Sequence, residues 1–256
     1  YQPTGSGSKQ LAHDMTIKDL FSRADFLIIG HRGAAGLAPE NTAASFRLAI
    51  ELGCPMLELD VQCIYSRDGS PRLCVFHDDT LDRTTNGTGV VTDHSTEDLA
   101  KLRCQNDQPI PMLEDIFRLL VGHPNIGLNI ELKSKQTAGL VAQAIRANPQ
   151  TPVLVSSFHL DELTQFRQED KTTPVAPLFA RWRKDILYIA ENLDASAINI
   201  AASSINPSRM QALTLSNLPI FAYTVNSPSK AEKLRQLGLS GIFTDRPDKF
   251  GTYTLK

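Results

Sequence analysis

The sequence has little cysteine, a single tryptophan and no excess of basic residues. Its four cysteines, Cys54, Cys63, Cys74 and Cys104, form neither a Cys-x-x-Cys pair nor a Cys/His spacing that would hold zinc. A chain of 256 residues has enough apolar material to fold without disulfide staples, so the four read as free thiols in a reducing compartment. The 26 Lys and Arg against 28 Asp and Glu leave a formal charge of −2 at pH 7. That balance excludes a surface built for nucleic acid or an anionic membrane, both of which need a basic excess, while local basic residues can still take a small phosphate. No stretch approaches the roughly 18 consecutive apolar residues of a membrane span. The start lacks a basic segment followed by an apolar one, so the expected location is cytoplasmic. Nothing in the sequence sets an oligomeric state.

What is present is alternation. From Phe26 onward, short apolar or β-branched runs alternate with segments of helical period, the pattern of βα units around a parallel sheet. The strand candidates are FLIIG, MLELDVQ, RLCVF, IGLNIELK, PVLVSSF, VAPLFA, AINIA, IFAYTV and GIFTD. Helix candidates between them include NTAASFRLAIELG, with Asn41 or Thr42 as its cap and Gly53 as its stop, IPMLEDIFRLL, KDILYIAENL, SRMQALTLS and SKAEKLRQLG. The count suits a (β/α)8 barrel over residues 26–250, with one strand too many. A polar, turn-rich stretch over about residues 78–111 is too long for an ordinary connection and reads as an insertion. Residues 1–25, opening YQPTGSGSK, read as an N-terminal extension, either an artificial leader or what processing leaves, with Met15 a candidate native start.

Period-2 alternation in MLELDVQ puts Leu57, Leu59 and Val61 on one face and Glu58, Asp60 and Gln62 on the other. In IGLNIELK the same rule sets Asn129, Glu131 and Lys133 opposite Ile126, Leu128, Ile130 and Leu132. In a barrel the polar faces meet the lumen, where unpaired carboxylates must be neutralised by protons, cations or a metal. Three carboxylates without a thiolate suit one hard divalent cation, Mg²⁺ or Ca²⁺; the bland alternative is a polar sheet face in water or an ion pair with Lys133. His31 and His77 end predicted strands, the end of a barrel where chemistry is carried, and read as a general acid/base pair rather than core histidines. His13, His94, His123 and His159 lack that placement. Arg32 presents a guanidinium fork suited to phosphate oxygens and, with Lys133, supplies fixed positive charge for an anionic small-molecule substrate.

Six segments in this order, GHRGAAGLAPENT, LELDVQ, VFHDDTLDRTTNGTG, NIELK, AYTVN and GIFTDRPD, resemble the glycerophosphodiester phosphodiesterase family across Ile28 to Asp248. The resemblance implies a (β/α)8 TIM barrel with a small insertion after the third strand. It also implies divalent-cation-dependent hydrolysis of glycerophosphodiesters to glycerol 3-phosphate and an alcohol. Carried over by position, Glu58, Asp60 and Glu131 hold the metal, His31 and His77 are the acid/base pair, and Arg32 and Lys133 match phosphate positions. Glu40 and Asn41 of PENT are expected to fix the loop and helix more than to touch substrate. Asn226, and Trp182 without a motif behind it, are weaker candidates for the glycerol or head-group side. CIYSRDGSPRL is longer than the Asp-Gly turn the family suggests, which makes the offset of His77 from the barrel axis less secure than that of His31. The alternatives are a phospholipase C-like or lysophospholipase D-like enzyme acting on lipids, a non-catalytic phosphate-ester binding protein, and an unrelated barrel such as a sugar-phosphate isomerase.

Overall fold

The computed structural model describes residues 15–251. Helix α1 (Ile17–Arg23) precedes strand β1 (Leu27–Gly30), and α2 (Ala43–Glu51) leads to a long β2 (Met56–Tyr65) and to β3 (Pro71–Val75). The short helix α3 (Thr96–Leu99) lies in the expected insertion, and α4 (Leu113–Leu120) returns the chain to β4 (Gly127–Leu132). Regular βα units follow: α5 (Ala138–Ala147), β5 (Val153–Ser157), α6 (Leu160–Glu169), β6 (Val175–Phe179), α7 (Ile186–Asn192), β7 (Ile198–Ala201), α8 (Pro207–Thr214), β8 (Ile220–Tyr223), α9 (Pro228–Gln236) and β9 (Gly241–Thr244).

Of the nine strands among the described residues, eight pair in parallel and close through β1–β9 and β1–β2, giving the (β/α)8 barrel. The surplus strand of the sequence reading is β3, which pairs antiparallel with the outer half of β2 from Val61↔Val75 to Tyr65↔Pro71 and so stands outside the barrel. The insertion does follow the third strand in chain order. It is folded around a separate apolar cluster of Ile64, Phe76, Leu81, Val91, Leu99 and Ile110.

The strand alternation sorts side chains as the period requires. Leu57, Leu59 and Val61 are fully buried against the helices in the outer core, each contributing on the order of 2 kcal/mol. Leu27, Ile29, Met56, Leu154, Ala176, Ala197, Phe221 and Phe243 fill the lumen. Ile17 and Leu20 of α1 belong to that lumen cluster, because a parallel barrel leaves an apolar floor that something must cover. Met15, Ile17 and Leu20, all before Phe26, therefore pack with the barrel, and residues 1–14 of the expected extension lie outside the described residues. The cap of α2 is Thr42, whose hydroxyl accepts from Ser45 N, leaving Asn41 free for another task. The four cysteines are free and buried, and burial pushes the Cys54 and Cys74 thiols up to about 12.

Candidate active site

The lumen changes character toward the carboxyl ends of the strands. Glu58, Asp60 and Glu131 are 2%, 1% and 8% exposed, and each brings one carboxylate oxygen within 4.8 Å of the others. The register Asp60↔Glu131 across β2 and β4 sets two of them side by side, and Glu58 lies one pleat below. Burial, then the Asp60 and Glu131 charges, push the Glu58 carboxyl well up; burial and Asp60 raise Glu131 to about 7. A low-dielectric site resists gathered negative charge, so Glu58 and Glu131 hold their protons to higher pH than free carboxyls.

Two side chains answer part of that charge. Lys133 Nζ lies 3.2 Å from Glu131 Oε1 and 4.0 Å from Asp60 Oδ1. Arg32 approaches from the β1 end: its Nε is 3.3 Å from Asp60 Oδ2, its Nη1 donates to Glu40 Oε1 at 2.8 Å, and its backbone N–H donates to Glu58 Oε2 at 2.9 Å. This three-way reach requires left-handed backbone at Arg32, φ 49°, which costs a bulky residue about 1–2 kcal/mol. Gly33, φ 82°, follows because a Cβ there would lie 2.5 Å from Ser45 Oγ. Asn41, also left-handed, turns its amide to donate to Asp60 Oδ2 at 2.9 Å and to accept from Asp60 N.

Each expected histidine is held by a carboxylate. His31 Nδ1 is 2.7 Å from Asp245 Oδ1, and its Nε2 lies 3.9 Å from Glu58. Asp245 is in turn fixed by Asn226, whose amide donates to Asp245 Oδ2 and accepts from Asp245 N and Thr244 Oγ1. His77 Nδ1 is 2.6 Å from Asp78 Oδ1, while Gln62 donates to the Phe76 and Asp78 carbonyls on either side of it. Burial lowers the His77 imidazole, with Arg32 and Lys133 adding to the effect against Asp60 and Asp78. In both pairs the carboxylate takes Nδ1 and leaves Nε2 outside that contact.

These groups surround one cavity of about 150 Å³ lined by His31, Arg32, Glu58, His77, Glu131 and Lys133 on its charged side. Phe158, Leu178, Tyr223 and Phe243 form the opposite wall, from which the buried Tyr223 hydroxyl has no hydrogen-bond partner. Of the residues expected from sequence, His31, His77, Glu58, Asp60, Glu131, Arg32 and Lys133 are brought together. Glu40 accepts from Arg32 and Arg83, and both ends of the Asn226 amide are taken by Asp245 and Thr244. Trp182 lies beside Arg209, away from this cavity. Asp245, Asp78 and Gln62 were missed as site residues, although Asp78 stood in HDD and Asp245 at the end of GIFTD.

The oxygen donors fit a hard divalent cation. Three buried carboxylates converge, no thiol or histidine nitrogen joins that set among the described residues, and the Asn129 Oδ1 that lines the same cavity has no partner.

A family model, the glycerophosphoryl diester phosphodiesterase family, matches residues 31–249. The chain belongs to this family. Glycerophosphodiester phosphodiesterases from Caldanaerobacter subterraneus and Bacillus altitudinis are each 32% identical to it, over 87% of this chain and 95% of theirs. Among solved structures, an Oleispira antarctica phosphodiesterase in complex with the product sn-glycerol-3-phosphate superposes with a TM-score of 0.79 at 28% identity, covering 87% of this chain and 94% of that one. A glycerophosphodiester phosphodiesterase from Agrobacterium tumefaciens matches at 0.72 and 29%, covering 88% and 98%. Among the described residues of this family member, no helix is long and apolar enough to cross a membrane.

Proposed function

We propose that the chain hydrolyses glycerophosphodiesters to glycerol 3-phosphate and an alcohol, with His31 and His77 as the acid/base pair and a divalent cation held by Glu58, Asp60 and Glu131. The observation that carries the reading is the buried carboxylate trio between two carboxylate-held histidines. The family match and the neighbour bound to sn-glycerol-3-phosphate support the substrate class. A divalent cation held by Glu58, Asp60 and Glu131 would supply positive charge against the phosphate and would lower the pKa of the attacking hydroxyl or water. Arg32 and Lys133 hold the phosphate. His77, whose burial favours the neutral imidazole, accepts the nucleophile's proton, and His31, beside Asp245 and Glu58, gives one to the leaving alkoxide. The small cavity favours a glycerol phosphate over a diacyl lipid at the phosphate end.

The test is release of glycerol 3-phosphate from glycerophosphocholine and glycerophosphoethanolamine with Mg²⁺, Ca²⁺ or a chelator, in the parent protein and in His31→Ala and Glu58→Ala. The expected result is cation-dependent turnover lost in both variants. A folded parent inactive on both substrates with either cation would reject the assignment. Detecting cyclic glycerophosphate at short times would identify the glycerol hydroxyl as nucleophile, and its absence would favour water.

A further inference from the structure

The inserted subdomain sends one side chain back to the barrel mouth. Arg83 donates through Nε to Asp78 Oδ2 at 2.6 Å and through Nη2 to Asp78 Oδ1 at 2.9 Å. The same guanidinium donates through Nη1 to Glu40 Oε2 at 2.9 Å and through Nη2 to Glu40 Oε1 at 2.6 Å. Asp78 is the carboxylate that holds His77 Nδ1, and Glu40 is the carboxylate that holds Arg32. One planar cation therefore grips the two anions that orient a proposed proton-transfer residue and a proposed phosphate-binding residue.

We infer that Arg83 is a positioning residue for the phosphodiesterase reaction, acting through Asp78 on His77 and through Glu40 on Arg32, and that the insertion is thereby a working part of the site. The inference rests on the phosphodiesterase reading above. Glu40, His77 and Asp78 bring ligand atoms within 4.8 Å of one another, so without a cation between them the two carboxylates would repel and carry their partners apart. The guanidinium occupies that place, and its fork can serve both carboxylates at once, which a single ammonium cannot. Arg83 itself is placed by the insertion's own packing: its neighbour Leu81 is fully buried in the separate apolar cluster, and Leu81 N–H and C=O bond to Gly89 and Thr85. The side chain is half exposed, so its pairs are worth little to global stability, and their effect falls on alignment.

The experiment measures kcat and KM on glycerophosphocholine with a saturating divalent cation for the parent, Arg83→Ala, Arg83→Lys, Asp78→Asn, Glu40→Gln, the double variant Arg83→Ala/Asp78→Asn, and a control, Arg67→Ala, from an exposed pair with Asp98. Parent turnover tests the reaction itself, so failure there is distinct from failure of Arg83. Arg83→Ala is expected to lower kcat/KM about 30-fold with its melting temperature nearly unchanged, splitting into a kcat loss shared with Asp78→Asn and a KM rise shared with Glu40→Gln. Arg83→Lys is expected to recover only part. Millimolar guanidinium is expected to restore turnover to Arg83→Ala and not to Asp78→Asn. The double variant should lose no more kcat than Asp78→Asn alone. Arg83→Ala within twofold of the parent, a loss that merely follows the folded fraction, or losses that multiply in the double variant would overturn the inference.

Discussion

The two histidines of the site are held by the same chemistry and by different architecture. Asp78 is the residue next to His77, whereas Asp245 reaches His31 across 214 residues of chain. The His31 pair exists only when β1 and β9 meet, where Leu27 pairs with Gly241 and His31 N–H bonds to the Thr244 carbonyl. The His77 pair forms within one dipeptide and is then tied to the barrel by Gln62, Arg83 and the insertion. One half of the proposed proton-transfer machinery thus depends on barrel closure, the other on a local turn and what steadies it.

The largest effect that bears on this contrast is removal of each imidazole. His31→Ala and His77→Ala are each expected to lower kcat by about 10²–10⁴ in folded protein, measured as glycerol 3-phosphate release; a loss under tenfold in either would leave that histidine without a proton-transfer role. Next come the partners. Asp245→Asn is expected to cost about 100-fold and Asp78→Asn about 30-fold, because each amide turns a donor toward its own holder, Asn226 or Arg83, while Gln62 still fixes the Phe76 and Asp78 carbonyls on either side of His77. Equal losses would erase the architectural distinction.

The acidic trio between the histidines gives a smaller effect, on stability. Glu58 and Glu131 have carboxyl pKa values raised in the fold, Glu131 to about 7. A raised carboxylate contributes stability that is present below its ordinary value near 4.5 and lost as pH rises through the folded value. His77, lowered by burial, works in the opposite direction through its ordinary value of 6.5, and the lowered Asp78, Asp245 and Glu40 lose stability only at acid pH. Chelator-treated protein is therefore expected to melt a few degrees lower at pH 8 than at pH 5, and Mg²⁺ or Ca²⁺ should abolish the difference. Thermal melts across that range check it. The smallest effect separates the two halves directly. Ser95 caps α3 of the insertion by accepting from Asp98 N, so Ser95→Ala should cost about 1 kcal/mol locally. Hydrogen exchange is expected to speed up around 78–111 and to stay unchanged around His31.

Much of the site was legible because strand alternation is a local rule. Glu58, Asp60 and Glu131 fall on the lumen face by parity alone, and all nine strands announced themselves as apolar runs. What sequence could not show was direction and distance. RLCVF reads like a barrel strand, yet β3 runs antiparallel because only a five-residue turn separates it from β2, too short for a crossover. Asp245 carries no local sign of its histidine, and helix α1 gives none of its place under the barrel floor. The left-handed backbone of Arg32 follows from competing demands of Glu40, Glu58 and Asp60, which no window of neighbouring residues contains.

The hairpin of β2 and β3 makes the inserted segment a parenthesis in the chain. Val75 N–H bonds to the Pro111 carbonyl and Phe76 N–H to the Asp60 carbonyl, so the opening and closing brackets stand together beside the strand that bears Glu58 and Asp60. A segment whose ends are already joined can be exchanged for a longer or shorter one without redesigning the eightfold frame. Variety among such enzymes can then accumulate in the parenthesis while the sentence around it stays the same. The limit on that freedom is that any replacement must still deliver a carboxylate to His77 and a forked cation that joins it to Glu40.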